Sequence, residues 1–487
     1  MRTRTQRGVA GAATAVLLVT AGCTSGGSWS DGAGPDPSLP MSEVSAITDG
    51  DVIRLSWAPV ADADRYRFSD GAYTTDVPAT ICGEQCALTI ADPPPRAQVA
   101  VSAVRADGTF SAAATTPVTA PGAPGGAVAV DEPAVLLVHN GAAYGEAVRP
   151  RVEVVPVDSA DAAQQLIDDA YRSGSGVLSA SLNLPAGQLA GPPPRLVSQP
   201  AAGPPADATW QVEAMRFDLR PGDPPGDGIV VATIEGGGVA TEHPSLRGVV
   251  ADGHHVDAPA GEGNGVTDPT VHATGVASLI AGQPAGDVPG IAPGARIHPV
   301  DIGDRRESDL IEGIIAAVDA GADIINVSMA VECRSVLGIT RCPDGIQAAT
   351  DYAEREGVVV VAGAGNNGSG DQCGGEPNAD QWPAVLDTVI SVGAYEPTGV
   401  VWPCTPYRPD LDVLAPGVRL LLAEPGGGYA IGSGASFAAP LVSGLIAVLL
   451  AERPQLTPAE IRELLPQWLR PNQELDVAAA LTSLPPD

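Results

Sequence analysis

Four short segments carry the residue types that nucleophilic acyl transfer needs. In Gly432-Ser433-Gly434-Ala435-Ser436-Phe437-Ala438-Ala439-Pro440, Ser436 opens a long apolar run. A serine at a helix start sits in a positive local field beside backbone N–H groups, which suits an attacking oxygen and an oxyanion. Alone, such a serine reads equally well as an N-cap. In Val271-His272-Ala273-Thr274-Gly275, His272 stands at the start of a small-residue helix, in a chain with only six histidines. In Ala362-Gly363-Ala364-Gly365-Asn366-Asn367-Gly368, a buried strand runs into a Gly/Asn turn, where the Asn366 amide can aim an N–H at a developing oxyanion. Asn also enters such turns simply because it tolerates positive φ. Upstream, the apolar run 229–234 ends in Glu235-Gly236-Gly237-Gly238, a carboxylate at the carboxyl edge of a strand. Acid, His, Asn and Ser in that order can orient a base, activate a hydroxyl and stabilise an oxyanion.

Rigid elements must hold these groups. The apolar stretches 229–234, 295–300, 324–327, 358–361 and 388–392 read as buried parallel strands, and 308–320, 345–356, 436–451 and 457–469 as helices. Their alternation over 209–484 predicts a doubly wound α/β domain with helices on both faces of a parallel sheet. Residues 41–120 follow another rule. Short alternating runs such as Val52-Ile53-Arg54-Leu55-Ser56-Trp57, set apart by frequent turn residues, predict an all-β sandwich. Beyond a Pro/Gly-rich linker at 121–133, residues 134–184 read as strand, strand, helix, strand, a small βαβ unit. Its helix is capped by Asp158-Ser159-Ala160 and carries Leu166 and Ile167 on its apolar face. The Pro/Ala/Gly-rich stretch 185–208 is a second linker, where an exposed and cleavable segment is expected.

Composition narrows the setting. The 487 residues include 26 basic and 58 acidic side chains, a net charge of −32 with no lysine. A field of that sign repels phosphate backbones, which argues against nucleic-acid partners and against a basic membrane-surface role. Hydrophobic content of 44% excludes global disorder. Residues 1–22 combine Arg2, Arg4 and Arg7, an apolar run ending at Val19 and a small-residue site, the layout of a secretory signal too short to span a bilayer. Cys23 follows Ala21-Gly22 as in a bacterial lipobox, with Thr20 where Leu is usual. That predicts lipidation of Cys23 and attachment, through a tether at 23–40, to the outer face of the cytoplasmic membrane; plain secretion is the alternative. The other six cysteines suit disulfides outside the cytoplasm. Proximity in sequence pairs Cys82 with Cys86, Cys333 with Cys342 and Cys373 with Cys404, among the connectivities formally open.

At this point the chain resembles the subtilisin-like serine peptidases, or subtilases. The likeness rests on His243-Pro244-x-Leu246, Gly290-Ile291-Ala292-Pro293-Gly294-Ala295, Ile325-Asn326-Val327-Ser328, Leu414-Ala415-Pro416-Gly417 and above all the Ser436 segment, over about 209–482. It implies a subtilisin-like fold and an endopeptidase in which Ser436 is the nucleophile, His272 the general base and then acid, and Asn366 an oxyanion donor. It also implies that 134–184 is a prodomain, a folding chaperone and inhibitor whose tail occupies the site. Ser328, Met329 and Ala330, with Ala362, Gly363 and Ala364, would line the cleft and pair with an extended peptide by strand addition. The expected partner is a protein or peptide substrate, and the chain is expected to be monomeric. No cofactor is required. Structural calcium is compatible with the acidic composition, but no ligand set is assigned. In 41–120, Leu55-Ser56-Trp57-Ala58-Pro59 followed by Tyr66 resembles a fibronectin type III domain.

The departures from the family pattern are specific. Its triad acid is normally Asp; Glu235 stands there, with three glycines after it and one extra residue before His243. Ala273 replaces a Gly and Ala435 a Thr. Glu is one methylene longer, so the backbone must retreat by about an ångström, a displacement able to cost ~10²-fold in rate. The glycine run is expected to supply the necessary flexibility. Two outcomes follow: a working endopeptidase with a Glu235–His272–Ser436 triad, or a pseudo-protease that keeps the fold as a surface peptide-binding module. The domain order further predicts that cleavage in 185–207 parts the 209–484 domain from the anchor and the sandwich.

Overall fold

The computed structural model describes residues 39, 41, 44–49, 52–69, 74–83, 85–90, 96–119, 134–140, 149–172, 177–183, 186–188, 206–207, 209–256, 268–303, 306–336, 339–369 and 373–484. The signal segment, Cys23 and the 121–133 linker lie outside them. In the C-terminal domain the Val- and Ile-rich runs form a seven-stranded sheet. Val230–Glu235 lies inside it, flanked on one side by Arg296–Asp301 and then His254–His255. On the other side follow Ile324–Val327, Val359–Gly363, Val389–Tyr395 and Val413–Pro416. Every pairing is parallel.

Parallel strands need crossovers, and the crossover helices cover both faces. Alternate residues serve opposite cores: Val359 and Val361 pack with the helices Val271–Ala281 and Ala435–Glu452. Val360 and Ala362 pack with Glu307–Asp319 and Gly345–Arg355. Each fully buried Val, Ile or Leu contributes about 1.5–3 kcal/mol, so this two-sided burial carries most of the domain's cohesion. The helix Ala435–Glu452 is long and apolar enough to cross a bilayer, yet 89% of it is buried inside the fold. It is the core helix.

Residues 45–119 form two packed sheets around Ile53, Leu55, Trp57, Tyr66, Phe68, Leu88, Val99 and Val101. Trp57 meets Tyr66 edge-on at 5.3 Å, and the Val60 N–H donates to the Tyr66 hydroxyl at 2.7 Å. Neither sheet is closed by these residues alone. Cys86–Ile90 pairs in parallel with Gly428–Gly432, and Thr74–Pro78 pairs in parallel with Ala206–Asp207. Both added strands are distant in sequence, connections that local sequence patterns do not announce.

Between these parts, Ala134–Asn140 runs antiparallel to both Pro150–Pro156 and Val177–Leu182, with the helix Ala160–Arg172 joining the outer two. The unit is therefore a split βαβ, its two parallel strands separated by a third. It packs on the C-terminal domain, where Val135, Leu137 and Ile167 share a core with Leu310, Ile311 and Ile346. Asn183 caps the start of the helix Glu307–Asp319, its Oδ1 accepting from the Ser308 N–H at 3.1 Å. Two strands, Ala186–Gln188 and Ala206–Asp207, fall within the 185–208 stretch.

Three disulfides join Cys82 to Cys86, Cys333 to Cys342 and Cys373 to Cys404. The first staples the sandwich and the second closes a hairpin formed by Arg334–Val336 and Ile339–Arg341. The third joins Cys373, in the stretch after Val359–Gly363, to Cys404, beyond Val389–Tyr395.

Candidate active site

In an open parallel sheet the carboxyl ends of the strands face a crevice where the chain order switches direction. Here the switch lies between Val230–Glu235 and Ile324–Val327. The chain's acid, Asn326, Ser328 and Asn366 all sit at that edge. Glu235, the last residue of its strand, is 1% exposed. An ionised carboxylate only accepts, so the 2.7 Å contact has His272 Nδ1 donating to Glu235 Oε2. That fixes the tautomer and makes Nε2 the basic nitrogen of the ring. The second Glu235 oxygen, Oε1, is buried with no hydrogen-bond partner among the described residues.

The glycine run differs from the flexible spacer expected of it. Gly236 and Gly238 are buried, and Gly237 has a φ of +136°. A Cβ there would lie 2.3 Å from Thr270 Cγ2, so only glycine fits. Thr270 is the N-cap of the His272 helix, its hydroxyl accepting from the Ala273 N–H at 3.2 Å. The Thr270 N–H donates to the Gly238 carbonyl at 3.0 Å. The glycines thus seat the start of that helix against the end of the acid's strand, and the longer Glu side chain still reaches His272.

Ser436 is the second residue of the helix Ala435–Glu452 and is 2% exposed. Proline has no N–H, so Pro440 cannot bond back to the carbonyl four residues earlier, which is that of Ser436. Ser328 fills the vacancy: its Oγ donates to the Ser436 carbonyl at 2.9 Å. Ser328 in turn accepts from Asn326 Nδ2, and Asn326 Oδ1 accepts from Ser443 Oγ, both at 2.9 Å. This buried chain ties the first turn of the helix, at the Ser436 carbonyl, to its third turn, at Ser443. From sequence, Ser328 is expected in the cleft; Asn326 and Pro440 enter only as motif members without a role, and Ser443 is not singled out. The signal was present, since a proline four residues after a candidate nucleophile orphans that residue's carbonyl. Phe437, quoted in the same segment without a role, packs its ring on His272 with centroids 5.1 Å apart.

Asn366 is 5% exposed and its Oδ1 accepts from the Ala435 N–H at 2.8 Å. With that oxygen engaged, Nδ2 is a buried donor that no described residue takes up. A Cβ at Gly434 would lie 3.0 Å from both Asn366 Nδ2 and Ser436 Oγ. The donor and the hydroxyl therefore flank one small space, kept open because residue 434 has no side chain. An unspent donor beside a serine hydroxyl suits a charge that appears only during reaction. The Asn366 turn is anchored by Gly368 N–H to the Cys404 carbonyl at 2.9 Å, next to the Cys373–Cys404 disulfide.

The strand that follows Ser328 is Met329–Val331. Ala186–Gln188 lies antiparallel on it, with Ala186 opposite Val331, Gly187 opposite Ala330 and Gln188 opposite Met329. From Ala186 to Gln188 the added strand heads toward Ser328, and so toward Ser436. Ala362 and Gly363 differ: Ala362 pairs with Val327 on one side and Ser391 on the other, and Gly363 with Val392. The Ala364 N–H donates to the Val392 carbonyl at 2.8 Å, and its side chain packs with Tyr395, Leu411 and Leu414. These three build the floor of the sheet edge, whereas 329–331 carries an added strand.

His243 plays another part. Its Nε2 donates to the Gly428 carbonyl at 2.9 Å and its Nδ1 accepts from the Ser245 N–H at 3.1 Å. Burial pushes this imidazole below its ordinary pKa, outweighing the Gly428 bond and Asp287. It is a neutral, fully engaged structural histidine. Among the described residues no group of three or more His, Cys, Asp or Glu side chains is arranged to hold a metal ion.

Comparison with known proteins bears on the family and the fold. A model of the subtilase family, Peptidase_S8, matches residues 226–476. A thermophilic serine proteinase of a Bacillus species is 33% identical over 219 residues, 44% of this chain and 50% of that protein. Subtilisin E of Bacillus subtilis is 32% identical over 243 residues, 49% of this chain and 59% of that protein. The chain therefore spans between half and three-fifths of the length of these two relatives. Among solved structures, fervidolysin from Fervidobacterium pennivorans, described as a keratinolytic enzyme related to subtilisin, superposes with a TM-score of 0.56 at 24% identity. That overlap takes in 73% of this chain and 61% of fervidolysin, and shows a shared fold.

Proposed function

The chain belongs to the subtilase family, and from that premise we propose that it is an extracytoplasmic serine endopeptidase working through a Glu235–His272–Ser436 triad. Ser436 Oγ attacks the scissile carbonyl while His272 Nε2 takes its proton. Glu235 holds the imidazole by Nδ1 and stabilises the imidazolium that forms. Asn366 Nδ2, with the Ser436 backbone N–H, receives the oxyanion. His272 then returns the proton to the leaving amine, and water hydrolyses the acyl-enzyme. The observation that carries the reading is the 2.7 Å bond from His272 Nδ1 to Glu235, made despite the longer acid.

Substrates are extended peptides that pair with Met329–Val331 as Ala186–Gln188 does. That added strand supports a prodomain role for 134–184, with the enzyme processing itself in the linker beyond Gln188. The N-terminal signal pattern and Cys23 support export and lipid attachment to the outer face of the cytoplasmic membrane. The three disulfides fit the same compartment. The sandwich at 45–119 serves as a fibronectin type III-like accessory module.

Glu235→Asp and Glu235→Gln test the triad. If Glu235 is the working acid, Glu235→Gln loses about 10⁴-fold in kcat by presenting the wrong tautomer, while Glu235→Asp changes kcat little or lowers it. A gain of 100-fold or more on Glu235→Asp would mean that the natural chain is a crippled peptidase, and its cleft would then be a peptide-binding module.

A further inference from the structure

The hairpin Leu420–Glu424 and Gly428–Gly432 lies immediately before Ser436 and is buried on both faces by different parts of the chain. Leu420, Leu422 and Ala430 face the core that holds Val276 and Phe437. Leu421, Tyr429 and Ile431 alternate with them and face the sandwich core with Ile53, Leu88 and Ile90. Leu421 is 0% exposed and Ile431 2%. The hairpin's outer edge is paired with Cys86–Ile90, Thr89 opposite Ala430 and Ile90 opposite Ile431. Polar bonds rim this seam. Thr80 Oγ1 and the Tyr429 hydroxyl donate to the two oxygens of Asp287, at 2.6 and 2.8 Å, and Arg54 pairs with Glu424. Arg419 stacks its guanidinium 4.7 Å from the Phe68 ring centre. Across the sandwich, Ala206–Asp207 extends its second sheet.

We infer that the sandwich is a permanent, non-covalent component of the processed enzyme: cutting the linker beyond Gln188 does not free the C-terminal domain, which stays bound to the sandwich through the 420–432 hairpin. The inference rests on the processing step proposed above. Its physical ground is separate. A domain that left the sandwich would expose Leu421, Tyr429, Ile431 and Val288 together and turn Gly428–Gly432 into an unpaired edge next to the nucleophile. Apolar patches and open edges of that kind are what stable chains keep covered. The consequence reverses the release expected from domain order: whatever holds the N-terminus also holds the cleaved protease. Loss of the split βαβ unit opens the cleft without detaching the enzyme.

The test uses the full chain carrying Ser436→Ala, with recognition sequences for an added, sequence-specific protease placed in 121–133 and in 189–205. Cutting both yields the sandwich, the split βαβ unit and the C-terminal piece. On size exclusion at about micromolar concentration, with intact masses read across the peaks, the sandwich is expected to travel with the C-terminal piece. Thr80→Val combined with Asp287→Ala is expected to weaken the pairing several-fold on dilution. A sandwich that elutes alone from the doubly cut protein would overturn the inference. Because Ser436→Ala removes turnover, that result is independent of self-processing, which is read from the mass of the chain with Ser436 intact.

Discussion

Two seams join the N-terminal parts of the chain to its C-terminal domain by an added strand, and they differ in what lies behind the ladder. In the cleft, Ala186–Gln188 makes three antiparallel residue pairs with Met329–Val331. At the sandwich, Cys86–Ile90 makes two parallel pairs with Gly428–Gly432. Counting pairs ranks the cleft first. At the second seam the paired strands themselves enter the shared core, Leu88 and Ile90 with Leu421, Tyr429 and Ile431; at the first, Met329 and Val331 lie in one core with Leu136 and Leu182, from strands outside that ladder. A backbone hydrogen bond contributes about 1 kcal/mol net, and a buried large side chain about 1.5–3. Backbone pairing also accepts almost any extended peptide, whereas a shared core accepts one partner. The difference separates a ladder that an extended peptide can replace while the core behind it stays in place from a joint whose paired strands are themselves core.

Perturbations sharpen that comparison in descending order of effect. Asn366→Leu removes the unspent donor, together with the acceptor of the Ala435 N–H, and leaves both ladders intact. Kinetics with a short peptide are expected to show kcat lower by about 10²–10³ with KM nearly unchanged; an equal loss in KM would show that Asn366 serves binding instead. Next, Cys373→Ala with Cys404→Ala opens the staple beside Asn366. A loop of this size supports a stability loss of about 4 kcal/mol by denaturant unfolding, with less lost from Cys82→Ala with Cys86→Ala, whose loop is far shorter. Comparable losses would remove the distinction between the two regions. Third, Tyr429→Phe deletes one bond to Asp287 at the sandwich seam. The expected cost is about 1 kcal/mol, a Tm shift of about 2–4 °C, with peptidase kinetics unchanged.

The smallest effect is a pH dependence at the same seam. Burial holds the His243 imidazole below its ordinary pKa, so between the folded and unfolded values the unfolded chain binds more protons. Stability from this group is complete above the unfolded value, about 6.5, and is lost as pH falls through the depressed folded value. His243→Gln is therefore expected to flatten the fall in Tm as pH drops below about 6.5. An unchanged slope would assign that fall to other groups.

Much of the C-terminal domain is legible in its sequence, because strands covered on both faces must be apolar throughout and their runs stand out. His272, Asn366 and Ser436 are legible for a related reason: each stands where an apolar run begins or ends, which is where a parallel sheet exposes its chemistry. The pairing of Cys86–Ile90 with Gly428–Gly432 is not, since two residues from segments more than 300 positions apart leave no local period. Ala186–Gln188 and Ala206–Asp207 are also hidden, being two- and three-residue strands inside Pro/Ala/Gly-rich stretches. Gly237 was misread for a different cause. A glycine run looks flexible in sequence, but the contact that forbids a Cβ comes from Thr270, on another element.

The central claim is that Ser436, served by His272 and Glu235, forms an acyl-enzyme. It is tested most directly by treating the chain from Thr24 onward, and its Ser436→Ala counterpart, with a fluorophosphonate probe and following intact masses over time. The account predicts one probe adduct on Ser436 and a break in the chain beyond Gln188, both absent from the Ser436→Ala protein. An unlabelled, unbroken chain, even after an added protease has opened 189–205, would contradict it.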